Sequence, residues 1–297
     1  MKVGIYGQFY HEGSGEYIQE LLDVLREEKI EVVIEEHFLE HIHQNKSIPK
    51  AYSHFRTFEE LDSSYDLFFS IGGDGTILKT ATYIRDLDIP IVGINTGRLG
   101  FLATIHKTEI KEAISFILQK KYSISRRSLL CVETSHESHK ISEVNFALNE
   151  IVVSRKNSTS MLTTEVWLNG EYLNAYWADG LMVSTPTGST SYSLSCGGPI
   201  ISPNTKALVI TPIAPHNLNV RPLVIPDDTI LTLKISGREE HFLLSMDSRV
   251  ATFPKDTVIT VKKAPFKINL VLLEESSFIK TLRKKLLWGE DKRNIKQ

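Results

Sequence analysis

A glycine-dense turn carrying one carboxylate, Ile71-Gly72-Gly73-Asp74-Gly75-Thr76-Ile77-Leu78, constrains this chain more than any other stretch. It follows an apolar run, Asp66-Leu67-Phe68-Phe69-Ser70, that reads as a buried strand. Beyond it, Ile77, Thr80, Ala81 and Ile84 recur at helical spacing. A glycine turn between a strand's C-terminal end and a helix start lets a ligand approach the backbone closely, and the free amides with the helix dipole suit a phosphate. A carboxylate repels phosphate, so Asp74 reads as a group that takes a proton or orients a metal beside it. The plain alternative is a tight turn with Asp74 as a helix cap.

The segments around this turn alternate between strand and helix. Val3-Gly4-Ile5-Tyr6 is a strand, Ile18, Leu21, Leu22 and Leu25 mark a helix face, and Glu31-Val32-Val33-Ile34-Glu35 is the next strand. Residues 41–60 read as a polar, irregular loop or flap with short helical pieces. Residues 89–94 give another buried strand, and Ile110, Ala113, Ile114 and Ile117 another amphipathic helix. Such alternation predicts a Rossmann-like parallel sheet with helices on its faces over residues 1–121.

Past residue 122 helical periodicity nearly vanishes. Runs at 129–134, 146–154, 163–168, 181–184, 208–211, 230–235, 242–246 and 258–261 read as strands, and Asn169-Gly170 is a hairpin turn. This predicts an all-β domain of β-sandwich type over 122–276. The tail, 277–297, turns helical again with Phe278, Leu282, Lys285 and Leu286 on one side, and is expected to return to the first domain.

A net charge of −2 excludes a general nucleic-acid or membrane-surface role, which needs a basic excess. Cys131 and Cys196 stand in no redox or metal spacing, which points to a reduced, cytoplasmic setting. The ten histidines show no ligand spacing, so no protein-built metal cage is expected.

Three further segments carry chemistry. Asn95-Thr96-Gly97-Arg98-Leu99-Gly100-Phe101-Leu102 follows the next strand of the α/β domain, and neighbouring parallel strands deliver their loops to one edge. Asn149-Glu150 is an amide and a carboxylate inside an apolar β stretch, suited to gripping a ribose or an exocyclic amine, or else a bulge or strand end facing solvent. In 178–199, Leu181-Met182-Val183-Ser184 runs into the hydroxyl-dense turn Thr185-Pro186-Thr187-Gly188-Ser189-Thr190-Ser191-Tyr192-Ser193-Leu194-Ser195, which presents several donors to a polar heterocycle or sugar.

These motifs, with Asp179-Gly180, Pro212-Ile213-Ala214-Pro215-His216 and Arg221-Pro222-Leu223, stand in the order seen in NAD kinases, and the chain resembles that family over nearly its whole length. The resemblance implies an α/β domain, an all-β domain and a last helix on the first domain. It implies transfer of the terminal phosphate of ATP to the 2′-hydroxyl of NAD's adenosine ribose, giving NADP, with a divalent cation, Mg²⁺, bound with ATP. Asp74 matches the family's general base and, with Gly75, contacts NAD; Gly72, Gly73 and Thr76 complete that loop, and Lys79 matches a position often basic. Asn95 and Phe101 belong to the second loop. Asn149 and Glu150 match the residues that hold the adenosine ribose, residues Thr190, Ser191, Tyr192, Ser193, Leu194 and Ser195 line the adenine side, Asp179 lies near the nicotinamide half, and Ala214 matches a pocket wall. Family members work as dimers or tetramers with a NAD site shared between subunits.

Two positions depart from the family pattern. Trp177 stands where many bacterial members have a charged or polar side chain: either it packs at the nicotinamide end and sets the choice between NAD and NADH, or it fills the β core near Tyr176. Arg249 stands where an uncharged glutamine is common. The competing functions are a diacylglycerol-type lipid kinase, which shares the Asp74 loop but needs an apolar acceptor pocket, and a non-catalytic NAD sensor.

Overall fold

The computed structural model describes residues 1–8, 14–44, 51–97, 100–136, 141, 143–157, 161–274 and 276–288. Arg98, Leu99 and the tail beyond 288 lie outside these residues. The chain divides into two compact units, Met1–Arg126 with Ile268–Gln297, and Arg127–Lys267.

The first unit is built from β1 (Lys2–Gly7), α1 (Ser14–Glu27), β2 (Glu31–Glu35), α2 (Glu36–Gln44), β3 (Ser53–Phe55), β4 (Leu67–Gly72), α3 (Asp74–Ile84), β5 (Ile91–Asn95), β6 (Ile105–His106) and α4 (Ile110–Leu118). All its strand pairs among these are parallel, in the order β5-β4-β1-β2-β3, with β6 beside β5. Strands buried on both faces read as near-continuous apolar runs, as Leu67–Gly72 does apart from Ser70, being buried at every position. Ile18, Leu21, Leu22 and Leu25 of α1 and Ala113, Ile114 and Ile117 of α4 close over them in one core.

The chain runs from β1 outward to β2 and β3, then returns to the other side of β1 as β4 and β5. The point of reversal, between β1 and β4, is where open parallel sheets hold ligands at their C-terminal edge. The Gly72-Gly73-Asp74 turn leaves β4 at that point.

Of residues 41–60, read as a loop or flap with short helical pieces, 45–50 lie outside the described residues; the rest holds the last turn of α2, β3 and a 3₁₀ turn at Phe58–Glu60. Helix α2 spans Glu36–Gln44, burying Phe38, Leu39 and Ile42, and β3 joins β2 in parallel. Its three apolar positions are separated by Glu and His, so the helical stripe is thin in the sequence.

The second unit follows from β7 (Tyr122–Thr134) beyond its first five residues, β8 (Phe146–Ala147), β9 (Glu150–Arg155), β10 (Leu162–Leu168), β11 (Glu171–Ala178), β12 (Gly180–Ser184), the short helix α5 (Tyr192–Ser195), β13 (Ala207–Ile213), β14 (Leu223–Pro226), β15 (Leu231–Ser236), β16 (His241–Met246), β17 (Arg249–Pro254) and β18 (Val258–Leu273) as far as Lys267. An antiparallel sheet runs β14-β13-β12-β9-β16-β17, and a second runs β11-β10-β15-β18. One core takes Val153, Leu181, Val183 and Leu244 from the first and Val166, Leu233 and Ile259 from the second, as a sandwich requires. Asn169 (φ 50°) and Gly170 (φ 86°) form the two-residue hairpin between β10 and β11.

Two readings of the sequence change here. The run 146–154 is two strands, broken at Leu148-Asn149. Strand β18 is sixteen residues long, where alternation was legible only to Val261, because Lys262, Lys263, Pro265 and Lys267 interrupt the apolar pattern. The final helix, α6 (Phe278–Leu286), starts at a Ser277 side chain that accepts from the Lys280 amide, buries Leu282, and belongs to the first unit.

Candidate active site

In the first unit, Asp74 is the first residue of α3, with Gly73 as its N-cap, so the carboxylate stands at the positive end of an eleven-residue helix. The helix starts earlier than its apolar spacing shows, because glycine and aspartate carry no hydrophobic signal. The Asp74 carboxylate is gripped by the second glycine loop: Oδ2 accepts from the Phe101 amide at 2.7 Å, and Oδ1 from Leu102 and Ala103 at 3.0 Å each. A carboxylate offers about four lone-pair sites, so about one remains for a substrate proton. A Cβ at residue 100 would overlap the Asp74 carboxylate, which is why this loop position is glycine.

Around Asp74 the glycine turn is open. Nothing lies near a Cβ built at Gly73 or Gly75, and Gly75 is exposed. Gly72 adopts φ 152° and leaves room only for the buried Thr76. Thr76 donates to Gln8 Oε1 at 3.4 Å, and Gln8 Nε2 donates to the Tyr6 hydroxyl at 3.3 Å, which links the end of β1 to the first turn of α3. Sequence reading missed Tyr6 and Gln8, whose distance in sequence gives no signal. Lys79 is exposed, its Nζ 5.9 Å from the Tyr83 ring centre. Asn95 is fully buried and spends its side chain on its own loop, accepting from the Gly97 amide at 2.8 Å and donating to the Ala103 carbonyl at 3.5 Å.

In the second unit, Asn149 and Glu150 sit at the break before β9, both buried. Asn149 Nδ2 donates to Ser191 Oγ, and that hydroxyl donates to Glu150 Oε1, each at 3.4 Å. Glu150 Oε2 is buried with no hydrogen-bond partner among the described residues. Burial, reinforced by the neighbouring Asp247 carboxylate and opposed by Ser191, pushes the Glu150 carboxyl up to about 8. At neutral pH Glu150 is therefore mostly a protonated acid that can donate as well as accept.

The hydroxyl-dense turn folds against this pair. Thr185 donates its amide to the Asn149 carbonyl at 2.9 Å and its hydroxyl to the Leu148 carbonyl at 2.6 Å. A Cβ at Gly188 would overlap the Asn149 carbonyl, so only glycine permits this approach. A 3₁₀ turn, Gly188–Thr190, then leads into α5. Of the residues expected along the adenine side, Ser191 joins Asn149 to Glu150, Thr190 donates to the Thr187 carbonyl, and Ser193 is fully buried against Thr211 at 2.9 Å. Tyr192 and Ser195 are exposed and Leu194 is half-buried.

Asp179 is held by Arg155 through two 3.0 Å contacts, Nε to Oδ1 and NH2 to Oδ2, a fork that fixes both oxygens. Sequence reading missed Arg155, because only strand pairing reveals it as a partner of Asp179. Trp177 is 45 % exposed while Tyr176 points into the core, so Trp177 does not fill the core. It packs on the His216 ring with centroids 4.2 Å apart. Ala214 is exposed in a left-handed conformation, φ 44°, uncommon for a residue other than glycine.

Among the described residues there is no group of three or more His, Cys, Asp or Glu side chains that could hold a metal ion, and no helix is long and apolar enough to cross a membrane. Cys131 and Cys196 are both free thiols.

The ATP-NAD kinase N-terminal domain matches residues 3–122, and the ATP-NAD kinase C-terminal domain matches residues 148–273. An NAD kinase from Christiangramia forsetii is 63% identical over 294 residues, covering 99% of this chain and 100% of that one. The crystal structure of yeast NADH kinase complexed with NADH superimposes with a TM-score of 0.85 at 25% identity, covering 99% of this chain and 89% of that one. An NAD kinase from Archaeoglobus fulgidus in complex with ATP shares the fold, with a TM-score of 0.74 at 22% identity over 97% of this chain and 99% of that one.

Proposed function

The chain belongs to the ATP-NAD kinase family, and on that premise we propose that it moves the terminal phosphate of ATP to the 2′-hydroxyl of NAD's adenosine ribose, with Asp74 as the base. The observation that carries the role of Asp74 is its anchoring: three loop amides fix the carboxylate at the start of α3, beside glycines that leave open space. In the reaction the 2′-oxygen bonds to the terminal phosphorus, the bond from that phosphorus to the ADP oxygen breaks, and the hydroxyl proton passes to Asp74. Fixing the base in advance removes an orientational cost from the step.

Asn149 and Glu150 hold the adenosine ribose, with Ser191 tying their side chains together. The protonated Glu150 supplies a donor where an ionised one would only accept. Thr190, Ser191, Tyr192, Ser193, Leu194 and Ser195 form the adenine side, and Ala214 a pocket wall; the fully buried Ser193 acts there by holding α5 to β13. Asp179 and Trp177 serve the nicotinamide half, and Lys79 favours phosphate. A divalent cation, Mg²⁺, travels with ATP and neutralises charge on its terminal phosphates. The enzyme works in the cytoplasm as a homo-oligomer, a neighbouring subunit completing the NAD site.

Incubation with NAD, ATP and Mg²⁺ tests the function: NADP is the expected product, and its absence at stoichiometric enzyme contradicts the proposal. Running NADH beside NAD shows which ring form the chain takes.

A further inference from the structure

The Leu148-Asn149 break lies between β8 and β9, where the sheet ladder stops supplying partners. Buried backbone groups still need them. Thr185 takes the Leu148 and Asn149 carbonyls, and the amides find their partner some hundred residues away in sequence, at the Asp247-Ser248 turn between β16 and β17, with Arg249 opening β17. The Asp247 carboxylate accepts three successive amides: Leu148 at 2.9 Å, Asn149 at 2.8 Å and Glu150 at 3.2 Å. Its own amide donates to the Glu150 carbonyl at 3.0 Å. The Arg249 guanidinium donates to the carbonyls of Val144 and Phe146. The turn and the residue that follows it thus take carbonyls before the break and amides within it.

We propose that Asp247 and Arg249 are positioning residues for the dinucleotide: their turn sets the backbone from which Asn149 and Glu150 present their side chains. The inference rests on the reading of Asn149 and Glu150 as the ribose-holding pair. The chemistry favours aspartate specifically. Three amides converge on one group, so that group must be an acceptor on both ends; asparagine would aim an NH₂ at one of them. Asp247 also adopts φ 50°, a conformation uncommon outside glycine, to bring its carboxylate there. Arg249, which departs from the family's usual glutamine, faces backbone carbonyls and the Phe146 ring, 5.6 Å from its centre.

The test measures kcat, KM for NAD and KM for ATP in Asp247→Asn, Arg249→Met and Arg249→Lys, with Asn149→Ala as the reference. A displacement of the ribose-holding pair raises KM for NAD about tenfold or more in Asp247→Asn and leaves KM for ATP unchanged. Arg249→Met gives a smaller rise in the same constant, and Arg249→Lys, which keeps a donor, recovers part of it. If Asp247→Asn does not fold, the two Arg249 variants carry the same split. A purely structural turn would lower the melting temperature and kcat while KM for NAD stays at the parent value, which overturns the proposal. Should Asn149→Ala also leave KM for NAD unchanged, the ribose assignment itself falls, and the positioning role with it.

Discussion

Asp74 and Asp247 are bound in nearly the same way and serve opposite ends. Each carboxylate accepts three successive backbone amides from a distant segment: residues 101–103 for Asp74 and 148–150 for Asp247. Around Asp74 the flanking Gly73 and Gly75 leave open space, and Asp74 itself is half-buried. Around Asp247 the neighbours are Arg249 and the buried Glu150, and burial pushes its carboxyl up against the pull of the amides and Arg249. In the first unit the loop holds the carboxylate still; in the second the carboxylate holds the loop still. Ligation alone therefore does not identify a catalytic group. What surrounds the remaining lone pair does.

The largest effect that can break this comparison is at Asp74. Asp74→Asn should fold and lose about 10²–10⁴-fold in kcat, since removal of a general base has that size. NADP formation under saturating NAD and ATP measures it, and a variant that keeps more than about a tenth of parent kcat removes Asp74 from the base role.

A smaller loss is expected when the grip, rather than the base, is changed. Gly100→Ala places a Cβ against the Asp74 carboxylate. Displacement of a reacting group by about an ångström costs about 10²-fold, and the crowding itself about 1–3 kcal/mol of stability. Steady-state kinetics and thermal melts separate the two; parent kcat with a lowered melting temperature would make Gly100 a folding residue only.

Glu150 sharpens the comparison through pH. Its carboxyl rises from about 4.5 to about 8 on folding, so between those values the native state holds a proton that the unfolded chain releases. Stability contributed by this group therefore falls as pH rises from about 4.5 to about 8. Glu150→Gln, neutral throughout, should exceed the parent in unfolding free energy at pH 8 by on the order of a few kcal/mol and melt higher, with the gap closing toward pH 4.5. It should also keep its KM for NAD at pH 9, where the parent weakens. Parallel melting curves across that range would contradict a buried, protonated Glu150.

Much of this arrangement was legible in the sequence, and the rest was not for identifiable reasons. Local patterns carried the parallel α/β unit, the sandwich, the Asn169-Gly170 hairpin and the Ser277-capped helix, because periodicity and turn chemistry act over a few residues. The edge strands β14 and β17 escaped notice, as Pro222, Pro226 and alternate exposed residues such as Val224 and Val250 blur their pattern. Asp74, Asn149 and Glu150 stand out as polar residues in glycine-rich or apolar settings, and Ser191 as one member of a hydroxyl-dense segment. Their supports do not: Asp247 looks like any polar turn residue between two strands, Arg155 like any strand end, and Arg249 stands out only against the family pattern, with nothing to show what it holds. For Trp177 the sequence allows both a core and a ligand-facing place, and its exposure beside His216 excludes the core.

That exposure gives the smallest effect. Trp177→Ala should leave the melting temperature nearly unchanged and alter the ratio of kcat/KM for NAD over NADH, since an aromatic face near the cationic oxidised ring contributes about 0.5–2 kcal/mol, roughly 2–30-fold. An unchanged ratio would remove Trp177 from the nicotinamide end.

The contrast between the two aspartates is tested most directly by calorimetric titration of NAD into Asp74→Asn and Asp247→Asn side by side. A base acts in the chemical step, so Asp74→Asn should bind NAD within severalfold of the parent; a loop anchor acts on recognition, so Asp247→Asn should bind about tenfold or more weakly. The reverse order, with NAD affinity lost at Asp74 and kept at Asp247, would contradict the account.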